Sequence, residues 1–207
     1  MGAGSVPLSE PALYPAEHRA LRELHATGRQ LASHWSRLAD RLGGTAAEPL
    51  RDGAARARGL CRELAQQTAE RGLHGSPAAQ GVGVQLAGLR NRAADVVLER
   101  NQALRLAVLD AEHVTTLLRY LQALADRRGD VALAAFHGRW VEEIGAARDE
   151  VRDAAIALAG DPDDAIRPAE PSALGRAGHG AATAVGTLGE AFDGSALGRA
   201  ARRLSGR

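Results

Sequence analysis

Apolar residues in the first fifth of the chain fall alternately three and four apart. Leu21, Leu24, Leu31, Trp35, Leu38 and Leu42 keep this spacing, with Gly28 in the same row, between Pro15 and the pair Gly43-Gly44. Such a period sets one apolar stripe along one side of a helix, with Pro15 in its first turn and the glycines as its stop. A second stripe, Leu50, Gly53, Ala57, Leu60 and Leu64, follows Pro49 and ends near Gly72; its members are small. Ser76-Pro77 restarts the chain as cap and first turn, but Gly81, Gly83 and Gly88 make the next dozen residues a weak helix or loop. A long helix from about Arg90 to Arg128 is apolar on most of its circumference, and Gly129-Asp130 is its turn. The fourth, from Val131 to Ala159, carries Leu133, His137, Trp140, Ile144, Ala147, Val151, Ala154 and Leu158 at strict four-three spacing. Four stripes joined mostly by short turns predict an all-α chain, an antiparallel four-helix bundle with helices near 15–42, 49–72, 90–128 and 131–159.

The chain thus divides into an N-terminal extension (1–14), the bundle (15–160), a Pro/Asp linker (161–172) and a Gly-rich appendage ending in arginines (173–207). In the appendage Leu174, Gly178, Ala181, Val185, Leu188 and Phe192 keep helical spacing, while glycines at 175, 178, 180, 186 and 189 would each weaken a free helix by about 1 kcal/mol. This row needs a surface to pack on, either the chain's own bundle or another protein. The terminal Arg199, Arg202, Arg203 and Arg207 read as a solvated basic end.

Composition narrows the chemistry. The 26 basic residues are all Arg, against 25 acidic ones, so a net charge of +1 gives no global field for nucleic acid or membrane. Two residues each of Trp, Tyr and Phe leave little for stacking bases or for an all-β core. The single Cys61 excludes an internal disulfide and any Cys-based zinc cluster, and beside an apolar seam it reads as a small core filler. The N-terminal sequence has neither a basic nor an apolar leader region, and no window reaches eighteen uncharged apolar residues, so the expected location is cytoplasmic with no membrane span. Phosphate-binding Gly-Lys loops and Gly-x-Ser-x-Gly elbows are absent, which weighs against an enzyme without deciding it.

Carboxylates and histidines remain. A di-iron bundle uses Glu-x-x-His because that spacing aims both ligands at one interior point. Its nearest relative here is Asp110-x-x-His113, with His113 in the row Leu106, His113, Leu117, Tyr120, Leu124; a buried histidine bonded to its neighbouring Asp is the competing reading. Counting levels at 1.5 Å per residue from the turns sets His113, Glu143, Glu63 and His25 within a turn or two of one another on four helices, with Glu63, Glu143 and His25 flanking their seams as either inward-tilted ligands or exposed residues. Glu17 has seam phase but lies nearer the bundle end, close to Glu70 and His74. Glu112 shares a polar row with Arg105 and Arg119 and reads as a solvated charge. His34 and His137 read as core-edge histidines.

The stretch "LYPAEHRALREL" resembles the first-helix pattern of the YciE/YciF type of ferritin-like proteins, in which the glutamate of a Leu-Tyr-x-Ala-Glu opening is a metal ligand; the match falls on Glu17. "LDAEHVTTLLRYLQALADRRGD" and "WVEEIGAARDEVRDAA" are similar in outline to that family's third and fourth helices, at Glu112-His113 and Glu142-Glu143. Over residues 13–159 the resemblance implies a ferritin-like fold. Two readings follow. One is a metal-binding bundle holding iron or manganese with some of Glu17, His25, Glu63, Asp110, His113 and Glu143, in a storage, redox or stress role. The other is a metal-free helical scaffold or interaction protein, acting as a homo-oligomer or through its tail.

Overall fold

A computed structural model describes residues 13–71 and 98–172, together with 176, 177 and 180. The N-terminal extension up to residue 12, the predicted helical stretch 90–97, the Ser76-Pro77 restart and most of the Gly-rich appendage lie outside the described residues. Four long helices, α1 (Pro15–Leu42), α2 (Gly44–Glu70), α3 (Arg100–Arg128) and α4 (Val131–Ala157), pack together, and a single turn, α5 (Pro162–Ala165), follows. There is no strand among the described residues, and none of their helices is long and apolar enough to cross a membrane.

The turns between helices are short because glycine makes them. Gly43 and Gly44 have φ of +61° and +58°, so α1 stops and α2 starts with one residue between them. α2 therefore begins before Pro49, which lies inside the helix instead of opening it. Burial of Ala46 and Ala47 holds this early turn against the core. At the other end Gly129, φ +79°, closes α3, and the Asp130 carboxylate accepts the backbone N–H of Leu133 at 2.9 Å to cap α4.

The two helix pairs meet side by side. α1 packs on α2 and α3, and α4 packs on α2 and α3. Arg71, after α2, pairs with Asp130 at 3.3 Å, whereas Arg100, opening α3, pairs with Asp164 at 3.1 Å beyond the end of α4. The chain accordingly leaves α2 at one end and enters α3 at the other, about 43 Å away for a helix of 29 residues. The Pro/Asp segment 161–172 is laid on this far end. Its Arg167 carbonyl accepts the N–H of Arg100, one of the donors a helix start leaves unpaired; Ala169 donates to Leu98 and is buried.

The core is leucine and alanine around two tryptophans. Leu24, Leu31, Leu38, Leu50, Leu60, Leu64, Leu104, Leu118 and Leu121 are wholly enclosed. Trp35 of α1 crosses the interior, its indole N–H donating to the Ala107 carbonyl of α3 at 3.2 Å, its ring against Gly53 of α2. Trp140 of α4 lies over Gly59. The small stripe of α2 is thus the space that two large rings fill.

Candidate functional site

The six residues singled out as ligands sit in separate places. Glu17 is fully buried, held by Arg128 through two 3.2 Å contacts, and its carboxylate also accepts the Tyr14 N–H at 2.8 Å, closing the start of α1. Asp110 accepts from or shares a proton with His34 Nδ1 at 2.6 Å. His113 is more than half exposed, 3.4 Å from Glu23. Glu63 is partly exposed between Arg139 and the Trp140 indole N–H. Glu143 is exposed. His25 lies half-buried beside Arg29, and burial followed by that guanidinium lowers its pKa. Among the described residues no three His, Cys, Asp or Glu side chains come together as one metal ion would need.

The reason is azimuth. His113 faces Glu23, two residues before His25; Cys61, beside His25, is two residues before Glu63; Glu63 faces Arg139, one turn before Glu143. Their heights along the helices agree, yet each side chain points into a different groove or to water. The Asp110-x-x-His113 pair divides likewise, Asp110 toward α1 and His113 outward, so His113 is neither ligand-like nor a buried partner of Asp110. Leu106, His113 and Tyr120 of its row lie on an outer face of α3, Leu106 at 39% and Tyr120 at 47% exposure, whereas Leu117 belongs to the core. Glu112 pairs with Arg148 at the α3–α4 surface, as its polar row implies. Of the carboxylates that the family resemblance assigns to a di-metal centre, Glu17 and Glu112 are engaged by arginines while Glu142 and Glu143 are exposed, and this donor arrangement does not fit such a centre.

Buried charge instead forms a chain at one end of the bundle. Glu17, Arg128, Asp130 and Arg71 link α1, α3, the α3–α4 turn and the end of α2. Burial works against ionising Asp130, but the Leu133 N–H, Arg71 and Arg128 outweigh it and hold its carboxyl below the usual range. Spacing alone could not foresee this chain, because Arg128 and Arg71 read as ordinary helix-end arginines.

His137, behind this network, is fully enclosed, and neither ring nitrogen has a partner among the described residues. Burial, then Arg71, lowers its pKa to about 4, against the opposing pull of Asp130. The folded state thus keeps the ring neutral while the unfolded chain protonates it near the ordinary value of 6.5. Stability from this residue is complete above that value and is lost as pH falls toward the folded pKa, about 2 kcal/mol between pH 7 and 5. Urea denaturation of the protein and of His137→Leu at both pH values should show a distinctly flatter dependence in the variant; equal slopes would clear His137 of the effect.

Two surfaces stand out. One is the groove between α1 and α2, of about 630 Å³, with Arg29, Arg58 and Arg62 around His25 and Cys61. The other is the outer face of α3, where Leu106, Leu109 and Tyr120 follow helical spacing in water. Comparison with known protein families and with curated proteins finds no match to the chain.

Proposed function

We propose that this protein is a metal-free scaffold of ferritin-like topology, an antiparallel four-helix bundle that works through protein contact at the outer face of α3. Three features support the topology. Trp35 opposite Gly53 and Glu17 opposite Arg128 pair early residues of one helix with late residues of its neighbour, and Arg71 after α2 meets Asp130 before α4. The joins at Gly43 and Gly129 are tight. The end of α2 at Arg71 and the start of α3 at Arg100 lie at opposite ends of the bundle, as the single long crossover of ferritin-like folds requires.

The observation that carries the functional reading is the exposed row Leu106, Leu109, His113, Thr116, Tyr120 and Ala123, with Leu109 61% exposed. A row with three large apolar residues at this spacing is the seat of another amphipathic helix. The occupant we assign is the chain's own segment 173–207. Its row from Leu174 to Phe192 spans 19 residues against 18 from Leu106 to Ala123, with the same alternation of three and four. The chain at Glu170 is held to Arg41 by a 2.9 Å pair, at the end of the bundle where α3 begins, so the tail starts beside this row at high effective concentration.

Thermal melts and light scattering on a 1–171 truncation test the assignment. A lower melting temperature with unchanged mass is the expected result. An unchanged melt with reduced mass would give the tail to a second copy, and no change in either would overturn the reading. Elemental analysis of protein purified without added metal should give less than about 0.2 Fe or Mn per chain; stoichiometric metal would restore the metal-binding reading.

A further inference from the structure

We infer that the groove between α1 and α2 binds the phosphate group of a small soluble molecule, with Arg29, Arg58 and Arg62 as its donors. The floor is made of short side chains, Ala32, Cys61 and Ala65, because α1 and α2 approach closely there. A Cβ at Gly28 would lie 3.0 Å from the Cys61 sulfur. The rim is long and cationic, with Arg29 from α1 and Arg58 and Arg62 from α2, and no carboxylate lines it.

Arginines such as Arg19, Arg51 and Arg119 are likewise in no ion pair among the described residues, but each stands apart, whereas the groove gathers three. Arg41, Arg56, Arg71, Arg100, Arg128, Arg139, Arg148, Arg152 and Arg167 each lie within 4.0 Å of a carboxylate. In a chain with nearly as many acids as arginines, three guanidiniums share one concavity, and none has a carboxylate partner among the described residues. Their field reaches the floor. Arg29 presses the His25 pKa down alongside burial, and Arg29 and Arg62 pull against the burial that raises the Cys61 thiol. Arg58 is steadied by donating to the Ser36 hydroxyl at 2.9 Å, which presets one donor at little further entropy. Guanidiniums present paired N–H groups that match phosphate oxygens, whereas a cation entering beside them would be repelled. A groove of about 630 Å³ is the size of a small-molecule site.

Cys61, the chain's single cysteine, reports on occupancy. Its alkylation by iodoacetamide is followed in sodium phosphate and in sodium chloride of equal ionic strength at one pH, so that general screening is matched. At about ten times its dissociation constant phosphate leaves roughly a tenth of the grooves open, and alkylation should slow about tenfold. The protection should vanish in the double variant Arg29→Gln, Arg62→Gln and persist in Arg119→Gln, which lies on α3. Equal rates in phosphate and chloride for the unaltered protein would overturn the proposal, as would undiminished protection in the double variant. Should that variant fail to fold, the comparison on the unaltered protein decides alone.

Discussion

Arg128→Met should lower stability by about 4 kcal/mol, because it leaves the wholly buried Glu17 carboxylate with no cation beside it. The guanidinium itself is only 4% exposed. Burial disfavours its charge, but Glu17 and Asp130 outweigh that and raise its pKa further. Removing both charges is a different experiment. In the double variant Glu17→Gln, Arg128→Met the amide needs no counter-ion and can still accept the Tyr14 N–H, so the loss should be clearly smaller than for Arg128→Met alone. Urea titrations of the single and double variants provide the check, and a double variant worse than Arg128→Met would refute the coupling.

Gly53→Ala should cost about 3 kcal/mol, or roughly 9 °C of melting temperature in a chain of this size. A Cβ built at Gly53 would meet Trp35 Cζ3 at 2.0 Å and Cε3 at 2.4 Å, and Ala147 Cβ at 3.3 Å. No helix-propensity gain from Ala offsets that overlap, since the gain is only about 1 kcal/mol. The ring has nowhere to retreat, enclosed and tied to the Ala107 carbonyl. Trp35→Leu alone opens a cavity, and combined with Gly53→Ala the two defects should partly cancel, giving a double variant more stable than the sum of the singles. Strict additivity in calorimetric melts would show that the contact is not what limits Gly53.

Stripe spacing on α1, α2 and α4 was enough to anticipate which residues face inward, and the small row of α2 already implied a close neighbour. It could not say that Trp35 and Trp140 supply the bulk, since nothing local links them to Gly53 and Gly59. α3 misled for the opposite reason. Leu104, Leu106, Val108, Leu109, Leu117 and Leu118 surround the helix, so periodicity does not distinguish the core face from the outer one, and His113 was assigned to an interior row. Glu17 was legible as a seam residue, but its partner is 111 positions away and spacing carries no information over that distance. Levels counted along helices fix height alone, and a ligand set also needs direction. The start of α2 was misplaced because Pro49 resembles a first-turn residue when the buried Ala46 and Ala47 are not known.

The tight joins have a mechanical consequence. With one residue between α1 and α2, and two between α3 and α4, neither helix pair can slip within itself. The two pairs, however, are tied to each other by no such short join, and a shift of one helical turn would move one past the other by about 5.4 Å. What resists that slide is side-chain interlock. Trp35 holds Ala107 across the boundary between the pairs, while Glu17 and Arg128 clamp the end where α1 begins. The tryptophan is a detent and the ion pair a latch, and together they index one half of the molecule against the other.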